Sequence, residues 1–207
     1  MPLPVSYYVS PEQASALAAA CVGIAGAGGL GSNSAVMLAR SGVGRLIVID
    51  GDVVEERNLN RQHYFPRHIG MNKVEALAAQ ITELAPQTSV EALPFWLDEG
   101  NIPSILDKAP IWIEAFDNAR AKALFATMAL KAGKAVVSGS GMAGIGRGIM
   151  KRRVLRTSGG TLLAAVGDFA SDIAGAPPLA PRVMQCAAMQ ADAALEWILT
   201  GNIKAFD

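Results

Sequence analysis

Three glycines spaced as Gly-x-Gly-x-x-Gly constrain the fold of this chain more than any other feature. Gly26, Gly28 and Gly31 directly follow the apolar run Cys21–Ala25, which is typical of a buried strand, and precede a segment that predicts a helix to about Ser41. In that context small residues let the backbone approach a phosphate, and the helix N-terminus offers free N–H groups and a partial positive charge. The spacing therefore predicts a nucleotide-binding turn after the first strand of a parallel sheet.

The residues around this turn include an uncharged run between Glu12 and Arg40 that superficially resembles a membrane span. Alanine and glycine dominate the run, the glycines within 26–31 interrupt it, and the polar residues 32–34 follow at once. A membrane-spanning helix needs about 20 predominantly large apolar residues. We therefore interpret the run as buried structure of a soluble fold and expect no membrane association.

The balance of charge narrows the class of protein further. The chain has 207 residues, of which 51% are hydrophobic and 17% charged, with 18 basic and 18 acidic side chains. A general nucleic-acid binder or a polybasic membrane-surface protein would carry a net positive charge, and a disordered chain would be far less apolar. We expect none of these, and the length predicts one nucleotide-binding domain over residues 1–207.

Short apolar runs alternate with segments of helical spacing through most of the chain. Strands are predicted at residues 21–25, 45–50, 89–93, 111–114, 135–138, 146–155 and 161–166. Helices are predicted at 10–20, from the glycine turn to 41, and at 71–84, 102–109, 119–132 and 182–199. Apolar strands that alternate with helices favour a parallel sheet covered on both faces. The prediction is an α/β fold: a Rossmann-like, doubly wound, mostly parallel sheet with a short antiparallel addition near the C-terminus.

The two cysteines, Cys21 and Cys186, form no Cys-x-x-Cys pair and no ligand cluster with His63 or His68. We therefore expect no zinc site and a reducing, cytoplasmic setting. Cys186 lies in an apolar helix, where a free cysteine is more often a small core residue than a reactive thiolate, although the nearby Arg182 leaves the second role open. For the histidines we expect surface or packing roles.

Charged and amide side chains follow the second predicted strand. Asp50 ends that strand about 20 residues after the glycine turn, where a carboxylate accepts hydrogen bonds from ribose hydroxyls. The following segment contains Asp52, Glu55, Arg57, Asn58, Asn60, Arg61 and Gln62, while Lys73 opens the next helix and Asp117-Asn118 follows a later strand. Two cations and several carboxylates around one phosphate-binding turn suit a triphosphate with magnesium better than a dinucleotide.

Several short motifs lie in order along this part of the chain. They are Gly-x-Gly-Gly-x-Gly-Ser at 26–32, Ser-Gly-Val-Gly-Arg-Leu at 41–46, Asp-x-Asp-x-Val at 50–54, Asn-Leu-Asn-Arg-Gln at 58–62, Gly-x-x-Lys-Val-Glu at 70–75 and Asp-Asn at 117–118. Together they resemble the ThiF/MoeB/HesA family, the bacterial relatives of ubiquitin-activating enzymes, over residues 22–143. The segments 167–168 and 180–183 resemble its short ThiF-type branch without zinc cysteines, which is associated with thiamine thiazole synthesis.

The resemblance implies ATP-dependent adenylation of the C-terminal Gly-Gly carboxylate of a ubiquitin-like sulfur carrier protein (ThiS-like), by a homodimer that uses ATP and Mg2+. Carried over residue by residue, it assigns nucleotide binding to Gly26, Gly28, Gly29, Gly31, Asp50, Asp52, Asn58, Arg61, Gln62, Lys73 and Asn118. Arg61 and Lys73 would neutralise the phosphates and Asp117 would coordinate magnesium, which makes these three the implied catalytic residues. The attacking group is already an anion, so the reaction needs positioning and charge neutralisation rather than a histidine base.

The sequence also departs from the family pattern. Members usually place an N-terminal arginine in the ATP site of the partner subunit, but the first basic residue here is Arg40. Arg120, Arg147 and Arg153 are candidates for that role. Many longer members carry two Cys-x-x-Cys pairs that bind zinc, and this sequence contains none.

Three other functions fit parts of the sequence. ATP could activate another carbonyl, such as that of a modified tRNA base, although the neutral charge balance disfavours an RNA substrate. An NAD-dependent oxidoreductase would use the glycine turn but would leave Arg61, Lys73 and Asp117 without a role. The missing N-terminal arginine would also suit a non-catalytic nucleotide-binding or scaffold protein.

Two further segments each allow a purely structural and a functional interpretation. The basic residues within 151–156 form either a solvated strand face or a docking site for an acidic carrier protein. The Phe-Trp-Leu segment at 95–97 follows a predicted strand and either covers an adenine or belongs to the core.

Overall fold

The computed structural model describes residues 4–146, 148–170 and 175–206. The strands, numbered along the chain, are β1 Cys21–Ala25, β2 Arg45–Ile49, β3 Ser89–Leu93, β4 Ile111–Glu114, β5 Ala135–Gly139, β6 Lys151–Arg156 and β7 Leu162–Gly167. The α-helices are α1 Pro11–Ala19, α2 Gly29–Arg40, α3 Lys73–Leu84, α4 Ile102–Leu106, α5 Ala119–Lys131 and α6 Ala180–Thr200. Short 3-10 helices occupy Pro4–Tyr7, Glu56–Asn58 and Pro66–His68.

The strands form one sheet in the order β3-β2-β1-β4-β5-β7-β6. All neighbouring pairs are parallel except β6 and β7, which are antiparallel. This confirms the predicted mostly parallel α/β sheet with an antiparallel addition. The chain runs outward from β1 to β3 and then crosses back to β4, so the order reverses between β1 and β4. Open α/β sheets bind ligands at the carboxyl ends of strands at such a reversal.

Helices cover both faces of the sheet and form two apolar cores. On one face α1, α2, α3 and α6 bury side chains such as Leu17, Leu38 and Leu77 against the strands. On the other face α4 and α5 bury Ile105 and Phe125. Burial on both faces explains why the strands consist of continuous apolar runs rather than alternating ones.

The middle of the sheet depends on a close approach between β1 and β4. The Trp112 indole lies over Gly23, where an added Cβ would be 2.2 Å from the ring. Trp112 is fully buried and meets Phe125 of α5 edge-on, with ring centroids 5.6 Å apart. Gly23 therefore leaves room for the ring against which α5 packs.

The ends of several helices follow local signals that the sequence carries. Ser10 caps α1, because its Oγ accepts the Gln13 N–H at 3.2 Å and the Gln13 Oε1 accepts the Ser10 N–H at 3.0 Å. At the other end of the chain α6 stops at Gly201, which adopts a left-handed φ of 68°. No helix within the described ranges has the length and apolar character that crossing a membrane requires.

Two predicted elements begin later than expected. Helix α3 starts at Lys73 rather than residue 71, because the Met71 carbonyl accepts the Val54 N–H at 2.9 Å in a short bridge. Strand β6 starts at Lys151 rather than residue 146, and glycines in the preceding segment, such as Gly144 with a φ of 86°, adopt a backbone that a strand does not allow.

Candidate functional site

A cavity of about 340 Å3 opens where the carboxyl ends of β1, β2 and β4 meet. That volume lies within the range of small-molecule sites, roughly 300–1,000 Å3. Nine of the predicted site residues line the cavity: Gly26, Gly28, Gly29, Asp50, Asp52, Arg61, Gln62, Lys73 and Asp117. Gly31, Asn58 and Asn118 do not line it. The fold thus brings segments that are far apart in sequence to one place.

The glycine turn joins β1 to α2 with almost no free space beneath it. Gly26 has a φ of 99°, which disfavours any residue with a side chain. A Cβ on Gly31 would lie 1.8 Å from the Gly26 carbonyl oxygen. The absence of a side chain at Gly31 therefore allows the first turn of α2 to pack directly against the glycine turn. Gly28 is the N-cap of α2, and no side chain among the described residues caps that end. The N–H groups of the first helical turn are therefore available to an anion in the cavity.

The carbonyl groups of the turn, in contrast, are occupied. The Tyr64 hydroxyl donates to the Ala27 carbonyl at 2.8 Å, and the Ser32 Oγ donates to the Gly28 carbonyl at 2.6 Å. Asn33 Nδ2 donates to the Gly29 carbonyl at 2.6 Å. Because these three carbonyls already accept hydrogen bonds, the side of the turn that faces the cavity presents N–H groups rather than oxygens.

Asp50 links the turn to the charged segment that follows β2. Its Oδ2 accepts the Ala27 N–H at 2.6 Å, and its Oδ1 accepts the Asp52 N–H at 2.8 Å. Burial, together with the negative charges of Asp50 and Asp52, raises the pKa of Tyr64 well above its usual value. Tyr64 therefore stays protonated and continues to donate to the turn.

Lys73 and Asp52 form an ion pair across the cavity wall. Lys73 Nζ donates to Asp52 Oδ2 at 2.7 Å, and the side chain of Lys73 is only 6% exposed whereas that of Asp52 is 47% exposed. The lysine lies at the start of α3. Within the described residues Asp52 accepts one of the three N–H groups of the ammonium, so an anionic ligand in the cavity can accept another.

Arg61 is positioned by the loop in which it lies. Its Nη1 donates to Asn60 Oδ1 at 2.8 Å, while its carbonyl accepts Asn33 Nδ2 at 2.9 Å. Asn58 is buried and supports the same loop, because its Oδ1 accepts the Glu55 N–H at 3.0 Å. Asn58 thus shapes the charged segment without reaching the cavity.

Asp117 and Asn118 follow β4 but face different environments. Asp117 is exposed, lines the cavity and makes no side-chain hydrogen bond to the residues that the structure describes. The Asn118 Oδ1 caps α5 by accepting the N–H groups of Arg120 at 2.9 Å and Ala121 at 3.0 Å. Asn118 therefore holds the helix after Asp117, while the Asp117 carboxylate is left to the cavity.

No group of three or more His, Cys, Asp or Glu side chains that could hold a metal occurs in the described part of the chain. Mg2+ commonly uses one or two protein carboxylates and takes its other ligands from water and substrate phosphates. A single free carboxylate beside a phosphate-binding turn, as Asp117 provides, fits that pattern.

The segment 95–97 lies between the cavity and the core. All three residues line the cavity, and Phe95 and Leu97 also pack against the core beneath α4 and α5. Trp96 is 65% exposed and lies against Gly51, where an added Cβ would be 2.6 Å from the indole. The indole therefore forms an apolar wall beside β2 and β3.

Sequence reasoning missed an ion pair at the opposite end of the cavity. Lys122 of α5 lines the cavity, and its Nζ donates to Glu114 Oε1 at 2.9 Å and to the Phe116 carbonyl at 3.0 Å. Glu114 is completely buried at the end of β4. The available signal was a carboxylate that ends an otherwise apolar strand.

The candidates for the missing arginine have different surroundings. Arg120 is exposed in the first turn of α5. Arg153 stacks on the Phe169 ring with its Cζ 4.3 Å from the ring centroid. Neither lines the cavity, and Arg147 lies outside the described residues. Arg152, in the same basic strand, is buried against Asp192 and Glu196 and is thus a structural residue.

Cys186 and the histidines lie away from the cavity wall. Cys186 is fully buried, and burial raises the pKa of its thiol to about 12. This environment suits the core role and not the reactive one. The pKa of His63 and of His68 is lowered, in both cases chiefly by burial.

A comparison with protein-family models identifies the chain. The model described as the ThiF family matches residues 5–205. The chain belongs to the ThiF family. The match extends from before α1 to beyond α6, so it includes the glycine turn, the charged segment and the antiparallel addition of this ThiF-family chain.

Two curated relatives represent the similarity in sequence. The adenylyltransferase and sulfurtransferase UBA4 of Eremothecium gossypii is 36% identical over 130 residues, which cover 61% of this chain and 29% of the relative. The SAMP-activating enzyme E1 of Haloferax volcanii is 38% identical over 111 residues, which cover 53% of this chain and 41% of the relative. This ThiF-family chain thus spans less than half the length of either relative.

Solved structures of similar fold cover more of the chain. The crystal structure of E. coli tRNA N6-threonylcarbamoyladenosine dehydratase, TcdA, in complex with ATP superposes with a TM-score of 0.84 and covers 95% of this chain and 93% of that one. At 21% sequence identity, the match confirms the fold of this ThiF-family chain.

Proposed function

We propose that this chain is an ATP-dependent adenylyltransferase that activates the C-terminal carboxylate of a ubiquitin-like sulfur carrier ending in Gly-Gly. One arrangement carries the proposal. Among the described residues, the N-terminus of α2 has no side-chain cap and the Asp117 carboxylate has no hydrogen-bond partner, and both face a cavity that also contains Arg61 and the buried Lys73. Relatives named as an adenylyltransferase, a SAMP-activating enzyme and a ubiquitin-like modifier-activating enzyme support the same chemistry.

The cavity would hold ATP along the carboxyl ends of the strands. The Asp50 carboxylate would accept hydrogen bonds from the ribose, with the base against the Trp96 wall. The phosphates would meet the free N–H groups of α2, and Arg61 and Lys73 would neutralise their charge. Lys73 would then be shared between Asp52 and a phosphate oxygen, which is possible because Asp52 is half exposed and remains solvated.

Magnesium would be held by Asp117 and the phosphates of the bound nucleotide. The ion would offset negative charge on the phosphates as pyrophosphate leaves. Asp117 suits this role because its carboxylate lines the cavity and forms no side-chain hydrogen bond within the described residues, so no existing partner must be displaced.

The proposed reaction needs no protein base. A carboxylate oxygen of the carrier attacks the α-phosphorus of ATP and forms a C–O–P bond, while the bond from that phosphorus to the bridging oxygen breaks. Pyrophosphate leaves with the electron pair, and no proton has to move. The protein supplies alignment and charge stabilisation, which is consistent with a cavity wall that contains cations and N–H groups but no histidine.

The proposal also includes the identity of the carrier and the oligomeric state of the chain. A ThiS-like carrier of thiamine thiazole synthesis is the substrate that the sequence motifs suggest, and a homodimer is the proposed assembly. In a homodimer, an arginine such as Arg120, exposed at the start of α5, would be free to reach a neighbouring site. Light scattering of the purified chain measures the assembly directly.

ATP–pyrophosphate exchange tests the activity. Exchange is expected with a ThiS-type carrier that ends in Gly-Gly and not with the same carrier lacking its terminal glycine. ATP binding is measured in parallel by titration calorimetry. Intact ATP binding without exchange would contradict the proposal and favour a nucleotide-binding scaffold.

A second candidate is activation of a carbonyl on a modified tRNA base. The long match in fold to TcdA and the exposed arginines of the edge strand β6, Arg153 and Arg156, favour it. The equal numbers of acidic and basic residues argue against it. AMP release that depends on tRNA and not on the carrier would support this candidate.

A further inference from the structure

The Lys122–Glu114 pair is built so that the lysine retains a donor for the cavity. Within the described residues two of its three N–H groups are used, by Glu114 Oε1 at 2.9 Å and by the Phe116 carbonyl at 3.0 Å. Its side chain is 23% exposed, whereas that of Glu114 is 0% exposed. Because Lys122 lines the cavity, the third N–H is available to a ligand there.

Glu114 does not simply neutralise this lysine. Its Oε1 also accepts the Phe116 N–H at 2.8 Å, and its Oε2 accepts the Ser138 hydroxyl at 2.5 Å. Three donors therefore share one carboxylate, and the lysine keeps part of its positive charge for the cavity. Through Glu114 and the Phe116 carbonyl, Lys122 is bonded to β4, β5 and the loop after β4, and these bonds fix the position of its ammonium group.

The position of Lys122 relates it to one part of the proposed reaction. Arg61 and Lys73 belong to segments that follow β2, on one side of the glycine turn, whereas Lys122 packs beside β4 and β5 on the other. In-line displacement places the attacking and leaving groups on opposite sides of the phosphorus. If the cations after β2 receive pyrophosphate, the attacking carboxylate enters from the side of Lys122.

We infer that Lys122, held by Glu114, binds the carrier's C-terminal carboxylate and aligns it for attack on ATP. The inference rests on the proposed function and adds the residue that recognises the second substrate. The Lys122 ammonium offers an incoming carboxylate a charge-assisted hydrogen bond. Lys122 is thus a substrate-binding residue, and Glu114 is a positioning residue.

The test compares two forms of one ligand. A ThiS-type carrier ending in Gly-Gly is prepared with its native carboxylate and with a C-terminal carboxamide. Its Kd is measured by calorimetry with the full chain saturated by an ATP analogue whose α–β bridge is a methylene group. The variants are Lys122→Gln, which removes the charge, Lys122→Arg, which retains it, and Lys131→Gln as a matched control on the exposed end of α5.

The wild type is expected to prefer the carboxylate, and Lys122→Gln is expected to weaken its binding roughly 10- to 100-fold. Its Kd for the carboxamide and for ATP would change less than about twofold, and Lys122→Arg would restore part of the preference. A carboxylate preference that survives in Lys122→Gln would overturn the inference. So would a loss of ATP affinity with the preference intact, which would place Lys122 at a phosphate.

Two controls keep the result interpretable. Lys122→Gln leaves Glu114 buried with one donor fewer, so the double variant Lys122→Gln/Glu114→Gln, which removes both charges, is measured beside it together with the melting temperature. Loss of the carboxylate preference in the double variant supports the inference, and retention overturns it. A wild type that binds ATP but neither carrier form contradicts the proposed function itself, which differs from a failure of Lys122 alone.

Discussion

The Asp50 carboxylate and the Ala27 N–H are joined by a hydrogen bond of 2.6 Å. The second carboxylate oxygen of Asp50 accepts the Asp52 N–H at 2.8 Å. One side chain thus connects the glycine turn after β1 to the charged loop after β2. Any change in this carboxylate alters the turn and the loop together.

Asp50→Asn tests that connection. The asparagine keeps one oxygen acceptor but presents an amide donor to one of the two N–H groups, which loses a charge-assisted bond of about 1.5–3 kcal/mol. We expect ATP affinity to fall roughly 10- to 100-fold and the melting temperature to fall as well. Calorimetry with ATP and thermal unfolding measure the two effects. Asp107→Asn, at a position 84% exposed, is the control and should change neither.

Substitutions at two glycines of the turn are expected to have different effects, one on folding and the other on ATP binding. A Cβ on Gly31 would lie 1.8 Å from a backbone oxygen, so Gly31→Ala is expected to cost about 3 kcal/mol of the free energy of unfolding. Gly28 has a φ of −77°, and the nearest atom to its added Cβ is 3.9 Å away. Gly28→Ala should therefore fold normally but bind ATP less well, because its methyl group projects from the cavity wall. Equal unfolding midpoints in urea for the two variants would contradict this assignment.

Removal of the Asp117 carboxylate tests the metal assignment. Because the side chain is exposed and forms no hydrogen bond within the described ranges, Asp117→Ala should change the free energy of unfolding by less than about 0.5 kcal/mol. Pyrophosphate exchange is expected to fall at least about 100-fold at millimolar Mg2+. Exchange near the wild-type rate across a magnesium titration would refute the role of Asp117.

The Cys186 thiol provides a prediction about pH and reactivity. Burial raises its pKa from about 9 to about 12, so the folded chain holds it protonated at pH 8, and iodoacetamide should leave it unmodified while labelling it after unfolding. Since only the unfolded chain ionises between these values, this residue contributes stability below about pH 9 that is lost as the pH rises towards 12. Cys186→Ala should retain exchange activity, and its inactivity would revive a covalent role.

The sequence was sufficient for the type of sheet and for the approximate positions of its strands and helices, because the signals for these are local. The capping box of Ser10 and Gln13, the glycine spacing after β1 and the apolar strand runs all depend on neighbours within a few residues. The boundary of α3 could not be predicted, because the bridge between Val53 and Asn72 is a contact between distant residues.

The residues of the candidate site also divide into those that local sequence motifs predict and those that they do not. Residues next to the ends of β1 and β2, such as Gly28 and Asp50, line the cavity as the motifs predict. Asn118, which the family motif places with them, does not line the cavity, and its side chain caps α5. The motifs do not predict Lys122, because its contact with Glu114, which also accepts the Ser138 hydroxyl, joins a helix to two different strands. Spacing along one segment carries no information about such a three-way contact.

The packing of α6 on α2 joins two parts of the chain that are far apart in sequence. Val183 of α6 lines the cavity beside Gly29, where an added Cβ would meet its Cγ1 at 2.8 Å, and the Ser34 hydroxyl donates to the Ala187 carbonyl at 3.1 Å. The glycine turn and the helix that closes over it are separated by more than a hundred residues. During synthesis the turn and the apolar surface of α2 therefore stay uncovered until α6 has emerged. The wall of the nucleotide cavity that Val183 provides thus forms through a contact between distant segments rather than with the turn itself.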